Sequence, residues 1–219
     1  QEVLKLASRR LKASREEIFD ALQGDLTASH RFVLDELMRH IEEIEARIAR
    51  FDTRLLAELE SERDALALLQ TIPGVDLIGA AMLLVEIGTD MESFGSADRL
   101  ASWVGICPGN NESAGKRKSG HLRKGNLYVR RLLCEFAHAA SRTMSVFKSK
   151  FQSLVVRRGH KRAIIAIGHK ILRTIFFMLK RREHYRDSAT DYEALSVQRN
   201  APRWIKSLTK FGFINPANA

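Results

Sequence analysis

The chain has 219 residues, a length that allows one large domain or a small domain with an extension. Of these residues 45% are hydrophobic and 28% are charged, and the apolar content excludes wholesale disorder. Its two cysteines cannot supply a disulfide framework or a four-cysteine zinc site, and they indicate a reduced, intracellular compartment. Charged residues interrupt every apolar run before it reaches about 18 residues, which excludes a membrane span. Because the chain begins with Gln1, we expect it to be a fragment of a longer protein.

The charge of the chain is divided unequally along its length. Residues 1–70 hold 11 Lys and Arg against 15 Asp and Glu, whereas residues 71–219 hold 25 Lys and Arg against 11 Asp and Glu. The formal net charge of +10 therefore comes from the second part. A basic domain of this kind is typical of proteins that bind nucleic acid, although a basic surface can also serve solubility alone.

The pattern of residues 1–70 predicts a helical, coiled-coil arm. Apolar residues recur at mostly helical spacing through residues 3–22, and Thr27 or Ser29 can then cap a second helix. In that helix apolar residues alternate spacings of three and four, as in an a/d heptad seam: Leu34, Leu37, Ile41, Ile44, Ile48, Phe51 and Leu55. We expect the helix to continue to Gln70 and its seam to be buried against the first helix or against a partner chain. We favour self-association, as a dimer or a tetramer.

Residues 72–88 have the form of a helix-hairpin-helix, in which a tight turn joins two closely packed helices. Pro73 ends the first helix, and Gly74 supplies conformational freedom for the turn. Gly79 lets the second helix approach the first, and the free backbone N–H groups at the N-terminus of that helix suit a phosphate. A turn without a ligand fits the same pattern, and Asp76 within the hairpin favours that alternative, so the pattern leaves both open.

Residues 105–126 form a glycine-rich basic loop, called the serine loop below. It holds five of the 13 glycines, one acid, and the cations Lys116, Arg117, Lys118, Arg123 and Lys124. Glycine allows a backbone to approach a ligand, and clustered cations neutralise phosphates, but the GxxxxGK[ST] spacing of a nucleotide-binding loop is absent. Ser113 is best placed to attack a phosphodiester, because three cations that can stabilise the transition state follow it, and Ser119 is its competitor. A loop serine is more often a turn former, so spacing alone does not assign the role.

Two amphipathic helices are predicted after the serine loop. Asn126 leads into the first, which carries Leu127, Val129, Leu132, Leu133, Phe136, Ala137 and Ala140, with Arg130 on another face. In the second, we expect Ile164, Ile167, Ile171, Ile175 and Leu179 to be buried. The polar residues of that helix predict a stripe facing nucleic acid: His160, Lys161, Arg162, His169, Lys170 and Arg173. We expect Trp103 to lie in the core.

Several segments carry a resemblance to a known family. The runs IPGVDLIGAAMLLVEIG (72–88) and FGSADRLASWVGICPGNNESAGKRKSGHLRKGN (94–126) resemble the C-terminal domain of bacterial insertion-sequence transposases of the DEDD type, described as bridge-RNA-guided DNA recombinases. The heptad arm and residues 141–143, 157–163 and 185–187 also fit, so the resemblance covers nearly the whole chain. The combination of CPGNNESAGKRKSG with RKGN is its most specific element.

The resemblance implies a two-domain enzyme of which only the second part is present in this chain. In the family, an N-terminal RuvC-like nuclease domain with four metal-binding acids precedes the helical arm, so we expect Mg²⁺ in the full-length enzyme and none bound by this chain. Ser113 matches the family's serine nucleophile, which forms a transient phosphoserine link to DNA. The resemblance also implies DNA and a structured guide (bridge) RNA as partners, no membrane partner, and a place in the bacterial cytoplasm at the nucleoid.

The sequence thus predicts an all-α or nearly all-α fold, with a coiled-coil arm (1–70) and a basic domain (71–219). The expected function is that of a C-terminal fragment of an RNA-guided transposase or recombinase, which supplies Ser113 for DNA strand cleavage and exchange and is inactive alone. The expected nucleic-acid contacts are Lys116, Arg117, Lys118, Arg123, Lys124, Arg130, Gly74 and Gly79. The alternative is a non-catalytic nucleic-acid-binding module that uses the helix-hairpin-helix and the serine loop.

Overall fold

The computed structural model describes residues 12–21, 23–24, 26–107, 111–113, 116–119, 124–188 and 190–214. Across these residues the fold is all-α, as predicted, with one short antiparallel hairpin. The helices are α1 (Arg15–Ala21), α2 (Ala28–Glu58), α3 (Arg63–Gln70), α4 (Leu77–Ile87), α5 (Ala97–Val104), α6 (Leu127–Ala140), α7 (Val146–Arg158), α8 (His160–Arg181) and α9 (Tyr192–Lys210), and the strands are β1 (Asn111–Ser113) and β2 (Lys116–Ser119). The chain divides into two compact units, Gln1–Thr53 and Arg54–Ala219. Of the helices in the described ranges, none has the length and apolar character needed to cross a membrane.

Local capping explains where the helices of the first unit begin. The Ser14 hydroxyl accepts a hydrogen bond from the Glu17 N–H at 3.1 Å, and the Glu17 carboxylate accepts one from the Ser14 N–H at 2.6 Å, which is a capping box at the start of α1. The Thr27 hydroxyl accepts from the His30 N–H at 3.2 Å, so Thr27 rather than Ser29 caps α2. The start of the predicted first helix, at residues 3–11, lies outside the described residues.

The heptad seam of α2 is exposed along the first unit. Its six residues from Leu34 to Phe51 expose between 41% (Ile44) and 71% (Phe51) of their surface, and no residue of α2 is buried. A contiguous apolar stripe of this length is unusual on a surface that faces only water. Whether the seam is buried against the first helix or against a partner chain stays a prediction.

The structure breaks the predicted uninterrupted helix before it reaches Gln70. α2 ends at Glu58, and a 3₁₀ turn over Glu60–Glu62 separates it from α3. The Glu62 N–H donates to the Leu59 carbonyl at 2.9 Å, the tighter bond typical of such a turn. The break turns the apolar face of α3 into the core of the second unit, where Ala65, Leu66, Leu68 and Leu69 are buried. The two compact units divide after residue 53, within α2, because Leu55, Leu56 and Leu59 near the end of that helix already pack against the core of the second unit. The domain bounds 1–70 and 71–219 stay a prediction.

The second unit is built around α8, which packs against α3, α5, α6 and α7. All five of its residues predicted to be buried are buried: Ile164, Ile167, Ile171, Ile175 and Leu179. Each such side chain contributes about 1.5–3 kcal/mol when it is removed from water. Gly168 lets α8 approach α6, since an added Cβ would lie 3.2 Å from the Leu133 carbonyl oxygen. The expectation that Trp103 is a core residue is wrong, because 43% of its surface is exposed. Its ring packs against that of Phe94 in a T-shaped arrangement, with centroids 5.6 Å apart.

Candidate nucleic-acid interface

The serine loop begins at a helix end whose geometry fixes its direction. Gly105 follows α5 in the left-handed conformation, with φ +72°. The Gly105 N–H donates to the Ser102 carbonyl and the Ile106 N–H donates to the Ala101 carbonyl, each at 3.1 Å. These two bonds form the Schellman motif that commonly ends a helix. Because Ile106 is also buried, the loop leaves the core from a fixed point.

The other end of the loop returns to the same point. A Cβ added at Gly125 would lie 2.5 Å from backbone atoms of Val104 and Gly105, so only glycine allows the two segments to touch. The Asn126 N–H donates to the Trp103 carbonyl at 3.2 Å, which joins the segments directly. The 105–126 loop is therefore closed at its base by backbone contacts.

Polar side chains complete this closure. Asn126 caps α6 through its amide oxygen, which accepts from the Val129 N–H at 3.0 Å, and its amide nitrogen donates to the Glu86 carboxylate at 2.6 Å. The Arg130 guanidinium donates to the Gly105 carbonyl at 3.2 Å. We call Glu86, Gly105, Gly125, Asn126 and Arg130 the loop clamp. Arg130, predicted as a nucleic-acid contact, has this structural partner in addition, and its contact with nucleic acid stays a prediction.

The serine loop contains a β-hairpin that the sequence pattern did not predict. β1 and β2 pair antiparallel, with Ser113 opposite Lys116 and Glu112 opposite Arg117, and a bulge interrupts the register next to Asn111. Only the backbone is described in these strands, so the roles predicted for Ser113 and for the cations at 116–118 concern side chains outside the described part. Arg123 also lies outside it, while Lys124 is exposed.

The region predicted as a helix-hairpin-helix consists of α3 and α4 joined by a turn. Gly74 in the turn has φ +88°, and an added Cβ would lie 2.5 Å from the Ala140 N atom. A Cβ at Gly79 would lie 2.5 Å from the Phe136 ring. Both glycines are therefore required for close packing against α6, a role that is independent of any ligand.

The groove beside this turn has acidic side chains. It has a volume of about 530 Å³, its lining is mostly apolar, and the charged residues among those that line it are Asp76 and Glu135. The Asp76 carboxylate already occupies the N-terminus of α4, where it accepts from the Gly79 N–H at 3.0 Å. Phosphate contacts at Gly74 and Gly79 stay a prediction, and the two carboxylates oppose them electrostatically.

The basic stripe predicted on α8 is partly engaged by the protein itself. The Lys170 ammonium donates to the Tyr192 hydroxyl at 3.1 Å, and the Arg173 guanidinium forms an ion pair with Asp98. Both cations thereby hold α8 to its neighbours α9 and α5. The exposed cations of the predicted stripe are Lys161 and Arg162.

The two histidines of this stripe lie in different surroundings. Burial lowers the pKa of His169, and the charge of Arg173 lowers it further, although Asp98 acts in the opposite direction. These surroundings favour the neutral form of His169. His160 is exposed, and its ring stacks on His138 with centroids 5.2 Å apart.

The Mg²⁺ ion implied by the family resemblance does not fit the described residues. Within the described ranges, no group of three or more His, Cys, Asp or Glu side chains is arranged to hold a metal ion. Hard cations such as Mg²⁺ need clustered oxygen ligands.

Comparison with known proteins relates the serine loop to a transposase domain. Residues 66–152 match the family described as Transposase IS116/IS110/IS902 family. The chain is 26% identical over 190 residues to a probable family 20 transposase of Pseudomonas aeruginosa, covering 83% of this chain and 56% of that protein. It is 28% identical over 169 residues to the transposase for insertion sequence element IS1111A of Coxiella burnetii, covering 75% of this chain and 46% of that protein. It is also 28% identical over 162 residues to a 42 kDa protein of insertion element IS900 from Mycobacterium paratuberculosis, covering 72% of this chain and 40% of that protein. The chain spans about half the length of these curated relatives, and the segment that matches the transposase family contains the serine loop and its clamp.

Proposed function

We propose that this chain is part of a transposase whose basic domain (71–219) binds DNA and a structured guide RNA, and whose Ser113 cuts and rejoins a DNA strand. The observation that carries the proposal is the match of residues 66–152 to a transposase family, because that segment contains Ser113 together with the loop clamp. Several relatives of the chain are named transposases, which supports the same reaction class. Such a protein works where its DNA lies, at the nucleoid in the bacterial cytoplasm.

The proposed reaction is a transesterification at phosphorus. The Ser113 oxygen forms a bond to the phosphorus atom, the bond from that phosphorus to a deoxyribose oxygen breaks, and the hydroxyl proton ends on the released oxygen. The phosphoserine diester retains the energy of the broken bond, so the hydroxyl of another strand can attack the phosphorus and release the serine. The backbone register supports this role, since it makes Ser113 the cross-strand neighbour of a lysine.

The basic domain would hold nucleic acid mainly through phosphate contacts. Residues 71–219 carry 25 Lys and Arg against 11 Asp and Glu, and neutralising phosphates releases bound counterions. The proposed contacts are Lys116, Arg117, Lys118, Arg123, Lys124 and Arg130, with Gly74 and Gly79 as backbone contacts. Contacts of this kind position the chain on DNA or RNA without reading its sequence.

The proposal assigns the metal to a domain outside residues 1–219. The full-length protein would carry an N-terminal nuclease domain, and Mg²⁺ bound there would stabilise the oxygens that gain charge. The share of the relatives that this chain covers is consistent with a further domain. We expect residues 1–219 alone to bind nucleic acid and to cut no DNA, and Mg²⁺-dependent cleavage by the purified chain would contradict this.

We also propose that the chain self-associates through α2, as a dimer or a tetramer. The exposed seam from Leu34 to Phe51 supports this, because pairing with a second copy would remove six large apolar side chains from water.

The experiment that tests the nucleophile compares two serine variants of the full-length protein. Ser113→Ala should abolish strand exchange while leaving nucleic-acid binding unchanged, because it removes only the attacking oxygen. Ser119→Ala is the matched control and should retain strand exchange. Normal strand exchange by Ser113→Ala would refute the assignment, and it would favour the alternative that the serine loop only binds nucleic acid.

A further inference from the structure

The exposed seam of α2 is flanked by charges that distinguish the two ways in which a second copy could pair with it. If Leu34 is taken as heptad position a, the exposed seam residues occupy positions a and d through Phe51. The flanking g positions are Val33, His40 and Arg47, and the flanking e positions are Met38, Glu45 and Asp52. Residues at e and g decide the orientation of coiled-coil partners, because they meet at the edges of the seam.

A parallel, in-register pair would make each of these flanking contacts favourable. In that arrangement a g residue meets the e residue five positions later in the partner copy. Arg47 would meet Asp52, which pairs a cation with an anion, and His40 would meet Glu45, whose carboxylate can accept a hydrogen bond from the imidazole. Val33 would meet Met38, two apolar side chains that are now 54% and 56% exposed.

An antiparallel pair would make the same contacts unfavourable. There g residues face g residues and e residues face e residues, so Arg47 of one copy would face g residues of the other, none of which is acidic among Val33, His40 and Arg47. The acidic Glu45 and Asp52 would likewise face each other. Like charges in such positions are destabilising. We therefore propose that two copies of this chain pair through α2 as a parallel, in-register coiled coil.

The seam also ends where the second unit begins. Leu55, the next position in the pattern, is only half exposed and packs against the core of the second unit. The surface available for pairing therefore runs from Leu34 to Phe51.

Charge exchange in the 1–219 chain tests this orientation. Arg47→Glu should raise the dissociation constant of the pair about tenfold, measured by sedimentation equilibrium at low salt, because two attractive contacts per pair become repulsive. Adding Asp52→Arg in the same chain should restore the wild-type dissociation constant, since the exchanged charges attract again. Arg50→Glu is the matched control, because position c faces away from the seam, and it should leave the dissociation constant unchanged. Circular dichroism verifies that each variant keeps its helix content.

A thiol placed in the seam provides an independent measurement. Leu37→Cys should form a disulfide between the two copies under mild oxidation, because a d position meets its own equivalent in a parallel, in-register pair and lies far from it in an antiparallel one. Arg39→Cys, on the outer face of α2, should not, and peptide mapping would separate the new bond from any bond made by Cys107 or Cys134.

The inference rests on the self-association proposed above, and the outcomes separate the two. A wild-type chain that stays monomeric at every concentration would overturn both. A chain that associates, yet binds itself more tightly with Arg47→Glu or forms no disulfide through Leu37→Cys, would overturn the parallel register alone. Neither result depends on Ser113.

Discussion

The loop clamp makes a sharp prediction about Asn126, whose side chain has two separate tasks. Its amide oxygen caps α6 and its amide nitrogen donates to the Glu86 carboxylate at 2.6 Å. Asn126→Asp keeps the first task, because aspartate caps a helix as well as asparagine does and its charge suits a helix N-terminus. The same change sets one carboxylate against another at the second contact. Any loss of stability is therefore due to the Glu86 contact.

The size of the loss follows from the contact. A hydrogen bond to a charged acceptor contributes about 1.5–3 kcal/mol, and two carboxylates in contact add repulsion. Both residues are half-buried, so solvent weakens these terms, and we expect Asn126→Asp to cost about 2–3 kcal/mol. For a unit of this size, Tm should fall by about 5–10 °C.

Thermal unfolding followed by circular dichroism at pH 7 and low salt measures this loss. Adding Glu86→Gln to Asn126→Asp should restore the free energy of unfolding to within about 1 kcal/mol of the wild type, because the new amide can donate to the new carboxylate. Glu86→Gln alone should cost only about 1 kcal/mol. The reasoning fails if Asn126→Asp leaves Tm unchanged, or if the double variant is no more stable than Asn126→Asp.

Two further predictions concern packing and titration. Gly125→Ala should lower the free energy of unfolding by about 1–3 kcal/mol, because the new Cβ would lie 2.5 Å from backbone atoms. The control is Gly24→Ala, whose Cβ would have nothing within 4 Å and which should change stability by less than about 0.5 kcal/mol. Equal unfolding midpoints for the two variants would contradict the close approach at Gly125. Burial, reinforced by the hydrogen bond and charge of Asp187, raises the pKa of Tyr185. A hydrogen bond from a lysine lowers the pKa of Tyr192. Ultraviolet titration should therefore show Tyr192 ionising before Tyr185. Because the pKa of Tyr185 is raised in the folded state, its contribution to stability is present below the ordinary tyrosine value of about 10 and is lost as the pH rises above it. Asp187→Asn should lower the pKa of Tyr185. An unchanged titration of Tyr185 would count against its contact with Asp187.

Helices with a long apolar period could be predicted from the sequence. The isoleucines of α8 recur on one face and are buried, and six of the seven apolar residues assigned to α6 are buried, with Leu127 as the exception. Helix starts were readable where a capping residue stood before the periodic run, as at Thr27 and Asn126. These features depend on residues close together in the chain, which is why periodicity and capping rules found them.

The features that were missed depend on contacts between distant residues. Glu86 stands 40 positions before Asn126, and no local pattern marks it as a partner. The glycine at 125 could be read as flexible, yet its role is to touch the backbone of Gly105. The break after Glu58 follows from where the core of the second unit lies, which the heptad pattern does not contain. A short hairpin inside a glycine-rich run carries too few alternating residues to be recognised.

The most direct measurement of the central claim is the site of a covalent protein–DNA link in the full-length enzyme. After the reaction is stopped with denaturant and the protein is digested with trypsin, Ser113 lies in the peptide 100–116 and Ser119 in the peptide 119–123. We predict a nucleotide mass on the first peptide, located at Ser113 by fragmentation and absent from Ser113→Ala. A nucleotide mass on any other residue, or completed strand exchange without a protein–DNA link, would contradict the account.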